Sequence, residues 1–254
     1  MAEPASRWAD LRVRVISASV LGVVALAAII AGDGWWRAFA AIAAGLMVWE
    51  VADMSAPNRR RPAMVLSVGA AAALTLPWPV FLIIGAGLGV TAARHRVAVG
   101  LYAAAILIGA SSLVALRGEG MGWLLWVILV VIATDVLGYF AGRFFGGPKF
   151  WPKVSPSKTW SGTVAGWIGA AVVGGIFAVI LEAGFGLVLV SVAASIAGQL
   201  GDIAESWLKR RFGLKDSSDL IPGHGGVLDR FDALTFAALL IALVTLAGWM
   251  PGPL

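Results

Sequence analysis

The 254-residue chain contains no cysteine and only two histidines, His95 and His224. Disulfides, thiolate nucleophiles and cysteine-type zinc sites are thereby excluded, and so is a multi-histidine metal centre. Charge is scarce as well: 13% of the residues are charged and 60% hydrophobic, whereas soluble domains run at roughly 25% and 45–50%. With a mean hydropathy of +0.90, the composition is that of a membrane protein.

The few charges are clustered. None occurs between Arg14 and Asp33, Arg61 and Arg94, Arg96 and Arg117, Glu119 and Asp135, Lys158 and Glu182, Glu182 and Asp202, or after Asp232. An apolar run of about 20 residues crosses hydrocarbon as a helix, because each backbone amide must be satisfied inside the segment. The expected spans are 14–32, 36–53, 62–76, 78–93, 97–116, 121–142, 160–181, 184–201 and 233–250. The third and fourth share one uncharged run, divided at Leu76-Pro77-Trp78-Pro79 because paired prolines break a helix and Trp favours the interface. The expected fold class is therefore all-α, a polytopic bundle of about nine transmembrane helices. Residues 1–120 read as a scaffold, and 121–254 as a catalytic region with loops 143–160 and 201–232.

The first apolar run follows basic residues, as a secretory signal would. It is long for such a segment, and Gly32-Asp33-Gly34-Trp35-Trp36 is a poor cleavage site, so a retained helix is expected. The richness in Ala and Gly fits close helix packing through small residues.

The net charge is +5 and the isoelectric point about 10.1. In a membrane protein basic residues report topology first, and nucleic-acid binding is not expected. With a cytoplasmic N-terminus, the inner segments hold Arg7, Arg12, Arg14; Arg59, Arg60, Arg61; Arg94, Arg96; Arg143, Lys149, Lys153, Lys158; and Lys209, Arg210, Arg211, Lys215, Arg230. Only Arg37 and Arg117 of the 19 Lys and Arg fall outside. The positive-inside rule favours this orientation in a cytoplasmic membrane.

Glu50 and Asp53 fall at the cytoplasmic end of the second span, where a solvated or Arg-paired helix end is the simpler reading. Asp135 falls well inside the sixth span. An ionisable residue at that depth marks a functional site facing the bundle interior, or a buried ion pair with Arg143. The sixth-to-seventh loop carries four cations, and Ser155-Pro156-Ser157-Lys158-Thr159 leads into a helix start. Positive charge, hydroxyl donors and free backbone amides suit a phosphate-rich ligand.

The eighth-to-ninth loop, 201–232, carries most of the chemistry. Its first part reads as helix, with Asp202, Glu205 and Lys209 on one face. The stretch with Asp216, Pro222 and the glycines around His224 reads as turns. Asp229 and Asp232 stand three apart at the start of the last helix. Acids of this kind collect Mg²⁺ through oxygen ligands, while the cations neutralise phosphates. Asp202 and Asp229 are the first candidates for metal. Glu205 and Asp232 either join them or hold a basic side chain, and His224 is either structural or a phosphate contact.

At these residues the sequence resembles the phosphatidate cytidylyltransferase family (CDP-diacylglycerol synthases). Ser206, Lys209-Arg210, Lys215-Asp216, Pro222-Gly223-His224-Gly225-Gly226 and Asp229-Arg230-Phe231-Asp232 fill the positions of its signature. Upstream elements extend the likeness over roughly 133–235. One departure is Ser161, where the family commonly carries Glu. The resemblance implies the reaction of CTP with phosphatidic acid to give CDP-diacylglycerol and pyrophosphate. It also implies dependence on Mg²⁺ with a second, monovalent cation, metal-binding acids at Asp202 and Asp229, and a homodimer in membrane lipid.

The physical reading is compatible. A phosphate monoester is largely dianionic at neutral pH, with a second pKa of about 6, so its oxygen is already a nucleophile. Candidate catalytic residues are Asp202, Asp229, Lys209, Lys215 and His224. Candidate substrate contacts are Ser155, Ser157, Lys158, Thr159, Arg210, Asp216, Gly225, Gly226 and Arg230. Two alternatives remain: a CTP-dependent polyprenol or lipid kinase, which should need a general base, and an ion-coupled transporter using Asp135 and Glu50.

Overall fold

A computed structural model of the chain describes residues 4–56, 69, 79–92, 95–152 and 154–252. The helices are α1 (Pro4–Ala31), α2 (Asp33–Ser55), α3 (Pro79–Thr91), α4 (Arg96–Glu119), α5 (Met121–Phe145), α6 (Trp160–Ile180), α7 (Gly186–Arg211) and α8 (Leu228–Leu246). Between α5 and α6 lies a short antiparallel hairpin, β1 (Lys149–Trp151) with β2 (Ser155–Thr159).

Among the described residues, α2, α4, α5, α6 and α7 are long and apolar enough to cross a membrane. At about 1.5 Å per residue, the 13-residue α3 reaches about 20 Å, short of a hydrocarbon core about 30 Å thick. Apart from residue 69, the span expected at 62–76 lies outside the described residues, as do Arg59, Arg60, Arg61, Arg94 and Lys153. The chain is thus mainly helical and of membrane type. Large apolar side chains such as Val23, Ile83, Val97 and Val179 are exposed on its outer surface, as a lipid-facing bundle requires.

The structure departs from the sequence reading at the segment 149–159, which forms a hairpin instead of an irregular loop. As expected for the 201–232 segment, helix continues from the span 184–201 to Arg211, and the last helix begins at Leu228, ahead of 233, with Asp229 and Asp232 in its first turns. Both helix extensions carry charged residues, whose stacked acids and cations lie in the polar end of the bundle.

One buried cluster joins α2, α3 and α4 to Leu208, Val227 and Leu228, and a second joins α4, α5, α6, α7 and α8. Polar side chains tie the helices together inside these cores. Trp126 Nε1 donates to Ser191 Oγ at 2.9 Å, Thr134 Oγ1 to Ser195 Oγ at 2.8 Å, and Trp167 Nε1 to Gln199 Oε1 at 3.0 Å. Such interhelical bonds help fix partners where lipid supplies no hydrophobic drive.

The helix ends sort into two groups. At one end, Arg117 at the close of α4 pairs with Asp33 and donates to the Ile29 carbonyl, and Gly122 faces Leu181. At the other end lie the close of α2, the hairpin, the close of α7, the 212–227 segment and the start of α8. Ser17 of α1 also reaches Pro222 and His224 there.

Candidate active site

The site is built where α5 and α6 nearly touch. A Cβ on Gly162 would stand 2.5 Å from the Gly138 carbonyl oxygen, and one on Gly142 would stand 2.8 Å from Thr159 Oγ1. Only hydrogen at these positions permits the approach. Thr159 ends β2 and caps α6, its Oγ1 accepting from the Gly162 amide at 3.3 Å. Ser161 donates its hydroxyl to the Gly146 carbonyl at 2.5 Å, a bond a carboxylate could not make.

A cavity of about 460 Å³ opens beside this contact. Its walls include Asp135, Arg143, Lys149, Ser157, Lys158, Thr159, Thr163 and Gln199. Three cations, several hydroxyls and the N-terminus of α6 give it the chemistry of an anion site. Asp135 and Arg143 both line it, so the acid at mid-helix faces a polar cavity. Ser155 is buried in the hairpin opposite Trp151.

Lys158 connects this cavity to the acids: its ammonium lies 2.5 Å from Asp202 Oδ2. Asp202 and Glu205 share a face of α7, and Asp232 of α8 comes up against them. One carboxylate oxygen from each of the three lies within 4.8 Å of the others. Glu205 is only 2% exposed, and its Oε1 has no hydrogen-bond partner among the described residues. The Tyr102 hydroxyl, buried on α4 and within the field of Glu205, Asp232 and Asp202, also has no partner among the described residues.

Asp229 sits beside this cluster with both oxygens engaged. Oδ1 takes the ammonium of Lys209, which also bonds Glu205 Oε2 at 2.9 Å. Oδ2 accepts from the Ser217 amide and hydroxyl, each at 2.9 Å, and from the Gly226 amide at 2.7 Å. The three-acid group is therefore Asp202, Glu205 and Asp232, with Asp229 bound to Lys209 and to the loop.

The remaining candidates are more dispersed. Ile221–Gly225 forms a turn closed by the Ile221 amide on the Gly225 carbonyl at 2.8 Å, with Gly225 at φ +79°. His224 Nδ1 pairs with Ser17 Oγ at 2.7 Å. Lys215, Asp216 and Arg230 are exposed, and exposed Arg210 donates to the Leu214 carbonyl.

Sequence reasoning missed Tyr102 and Gln199, and it misjudged Glu50. Glu50 is not solvated and has no Arg partner among the described residues: it is fully buried and accepts from Ser218 Oγ, the Val227 amide and the Leu228 amide. One signal was available, since no Lys or Arg lies within two helical turns of it.

The arrangement can hold a polyanion against a carboxylate cluster. Comparison with known proteins points the same way. A family model described as the cytidylyltransferase family matches residues 80–247. A phosphatidate cytidylyltransferase of Brucella abortus biovar 1 (strain 9-941) is 38% identical over 257 residues, covering 92% of this chain and 93% of that protein. Phosphatidate cytidylyltransferases of Staphylococcus saprophyticus and Staphylococcus haemolyticus are 40% and 41% identical over 140 residues, 54% of each chain.

Proposed function

The chain belongs to the cytidylyltransferase family, and from that premise we propose that it converts CTP and phosphatidic acid to CDP-diacylglycerol and pyrophosphate in phospholipid synthesis. The observation that carries this reading is the Lys158–Asp202 contact, which joins a cationic cavity to a three-acid cluster. A phosphate oxygen of the lipid attacks the α-phosphorus of CTP in line. The new P–O bond forms as the bond to the β-phosphate oxygen breaks, and pyrophosphate leaves with that electron pair. The nucleophile is already anionic, so no side-chain base is needed.

The acids fit Mg²⁺. Three carboxylates converge from two helices, and one of their oxygens is buried with no partner among the described residues, a donor set suited to a hard divalent cation. Asp202, Glu205 and Asp232 would hold it. Asp229 enters the proposed set on the strength of its motif, its oxygens here being held by Lys209, Ser217 and Gly226. The bound cation would stabilise charge on phosphate oxygens. The monovalent cation belongs to the same proposal.

This chain's own residues bring two polyanions together. Lys158 and Lys209 stand in the cluster, while Arg143, Lys149, Ser157 and Thr159 line the cavity. Lys215, Arg210, Arg230, Asp216 and His224, with Gly225 and Gly226 shaping the turn, are proposed as nucleotide and phosphate contacts that close around bound substrate.

The proposed setting is a multi-pass homodimer in the cytoplasmic membrane, with about nine spans and a cytoplasmic N-terminus. With nine spans, 17 of the 19 Lys and Arg would fall in the segments on the N-terminal side; that distribution, and the gathering of the site's helix ends with Ser17 at one pole, support that orientation, which gives CTP access. The test is purified protein in detergent with CTP, Mg²⁺ and phosphatidate. CDP-diacylglycerol and pyrophosphate in equal amounts are expected, and no product across a reasonable pH and salt range would overturn the reading.

A further inference from the structure

Glu50 lies on α2, outside the 80–247 stretch that matches the family model, and 168 residues from Ser218, one of its partners. Its carboxylate is fully buried, and both oxygens are used. Oε1 accepts from Ser218 Oγ and from the Val227 amide at 2.9 Å, and Oε2 accepts from the Leu228 amide at 2.7 Å.

Those amides belong to the N-terminus of α8, whose first N–H groups have no partners within the helix. Val227, at the cap position, supplies no side-chain cap. Glu50 therefore does from another helix what a Ser or Asp ordinarily does from the cap residue, and its negative charge sits at the positive end of the α8 dipole.

The loop is wrapped tightly on this group. A Cβ on Gly226 would collide with Ser217 Oγ and Glu50 Oε1. Ser217, next to the Ser218 that Glu50 holds, donates twice to Asp229. One carboxylate thus pins the loop at Ser218 and again at Val227–Leu228, and Asp229 and Asp232 occupy the first turns beyond.

We infer that Glu50 is a positioning residue for the transfer reaction: it caps α8 from α2 and so sets Asp229 and Asp232 against Asp202 and Glu205. The scaffold half thereby completes the geometry of the acid cluster. This inference rests on the proposed cytidylyl transfer for its kinetic consequence, and on hydrogen bonding alone for its structural one.

The test compares full-length wild type, Glu50→Gln and Ser218→Ala in detergent. Gln keeps the size of Glu but replaces one of the two acceptor oxygens by a donor, while Ser218→Ala leaves the cap on α8 intact. Glu50→Gln is expected to lower kcat about tenfold or more, with KM for CTP little changed and the Mg²⁺ concentration for half-maximal rate raised. Hydrogen–deuterium exchange should quicken over 217–228 and stay unchanged in α5 and α6. Ser218→Ala should give the smaller change in both measurements.

Wild-type kcat and Mg²⁺ dependence in Glu50→Gln would overturn the inference, as would exchange that quickens throughout the bundle. If the wild type itself makes no CDP-diacylglycerol, the proposed reaction fails instead. The exchange at 217–228 then still decides whether Glu50 holds the loop.

Discussion

The Lys158 ammonium lies 2.5 Å from the Asp202 carboxylate, tying the end of the hairpin to the helix that carries the acids. Lys158 is a wall of the cationic cavity and Asp202 is a member of the three-acid group. This pair is where the proposed phosphate and metal sites meet.

Replacing Lys158 by Met keeps the side chain's length and removes its charge. A hydrogen bond to a charged group contributes about 1.5–3 kcal/mol, so kcat/KM should fall roughly tenfold to a hundredfold. Steady-state assays with CTP and phosphatidate varied separately check this. A loss under twofold would detach Lys158 from the site.

Asp202→Asn and Asp229→Asn should differ. Asp202 makes few bonds to the fold, so its variant should lose activity and keep its melting temperature. Asp229 holds Lys209, Ser217 and Gly226, and its carboxylate side chain is 4% exposed. Its variant should lose activity and also about 2–3 kcal/mol of stability. Thermal unfolding in detergent beside a Mg²⁺ titration of activity separates the two; equal melting temperatures would contradict the assignment.

How much of this was legible in the sequence depends on range. Most of the helices could be read because lipid demands uninterrupted apolar helix, and charge gaps mark where such helix is possible. Asp202 and Glu205 could be placed together because three residues on a helix return to the same face. Asp229 and Asp232 obey the same rule, so sequence could not say which of them joins Asp202 and Glu205. That choice is made by how α8 packs on α7, which puts Asp232 into the cluster and Asp229 onto Lys209. Glu50 was misread because its partners are 168 to 178 residues away. The hairpin escaped because Pro152 and Ser155-Pro156 read as turns. Phe150 against Trp160 at 4.7 Å and the Trp160 amide on the Pro148 carbonyl hold it together.

Gly162→Ala should force α5 and α6 apart, since the added methyl would meet the Gly138 carbonyl. Overpacking of this kind costs about 1–3 kcal/mol. Because Thr159 and Lys158 immediately precede α6, KM for CTP should rise as well. Unfolding measurements and CTP saturation curves test the two effects together, and a variant with unchanged stability and KM would show that the close approach is not required.

His224 is oriented by Ser17 through Nδ1, leaving Nε2 for a ligand. If His224 contacts bound nucleotide, Ser17→Ala should raise KM for CTP severalfold while kcat holds, and His224→Ala should raise it further. A pair of variants with wild-type KM would assign the Ser17–His224 bond to packing of α1 alone.

The most direct measurement supplies CTP labelled at the α-phosphorus or at the γ-phosphorus to wild type and Asp202→Asn with phosphatidate and Mg²⁺. The expected result is α-label in the lipid, γ-label in pyrophosphate, and loss of both transfers in Asp202→Asn. Label from the γ-phosphorus in the lipid, as a lipid kinase would give, or undiminished turnover by Asp202→Asn, would contradict cytidylyl transfer at this acid cluster.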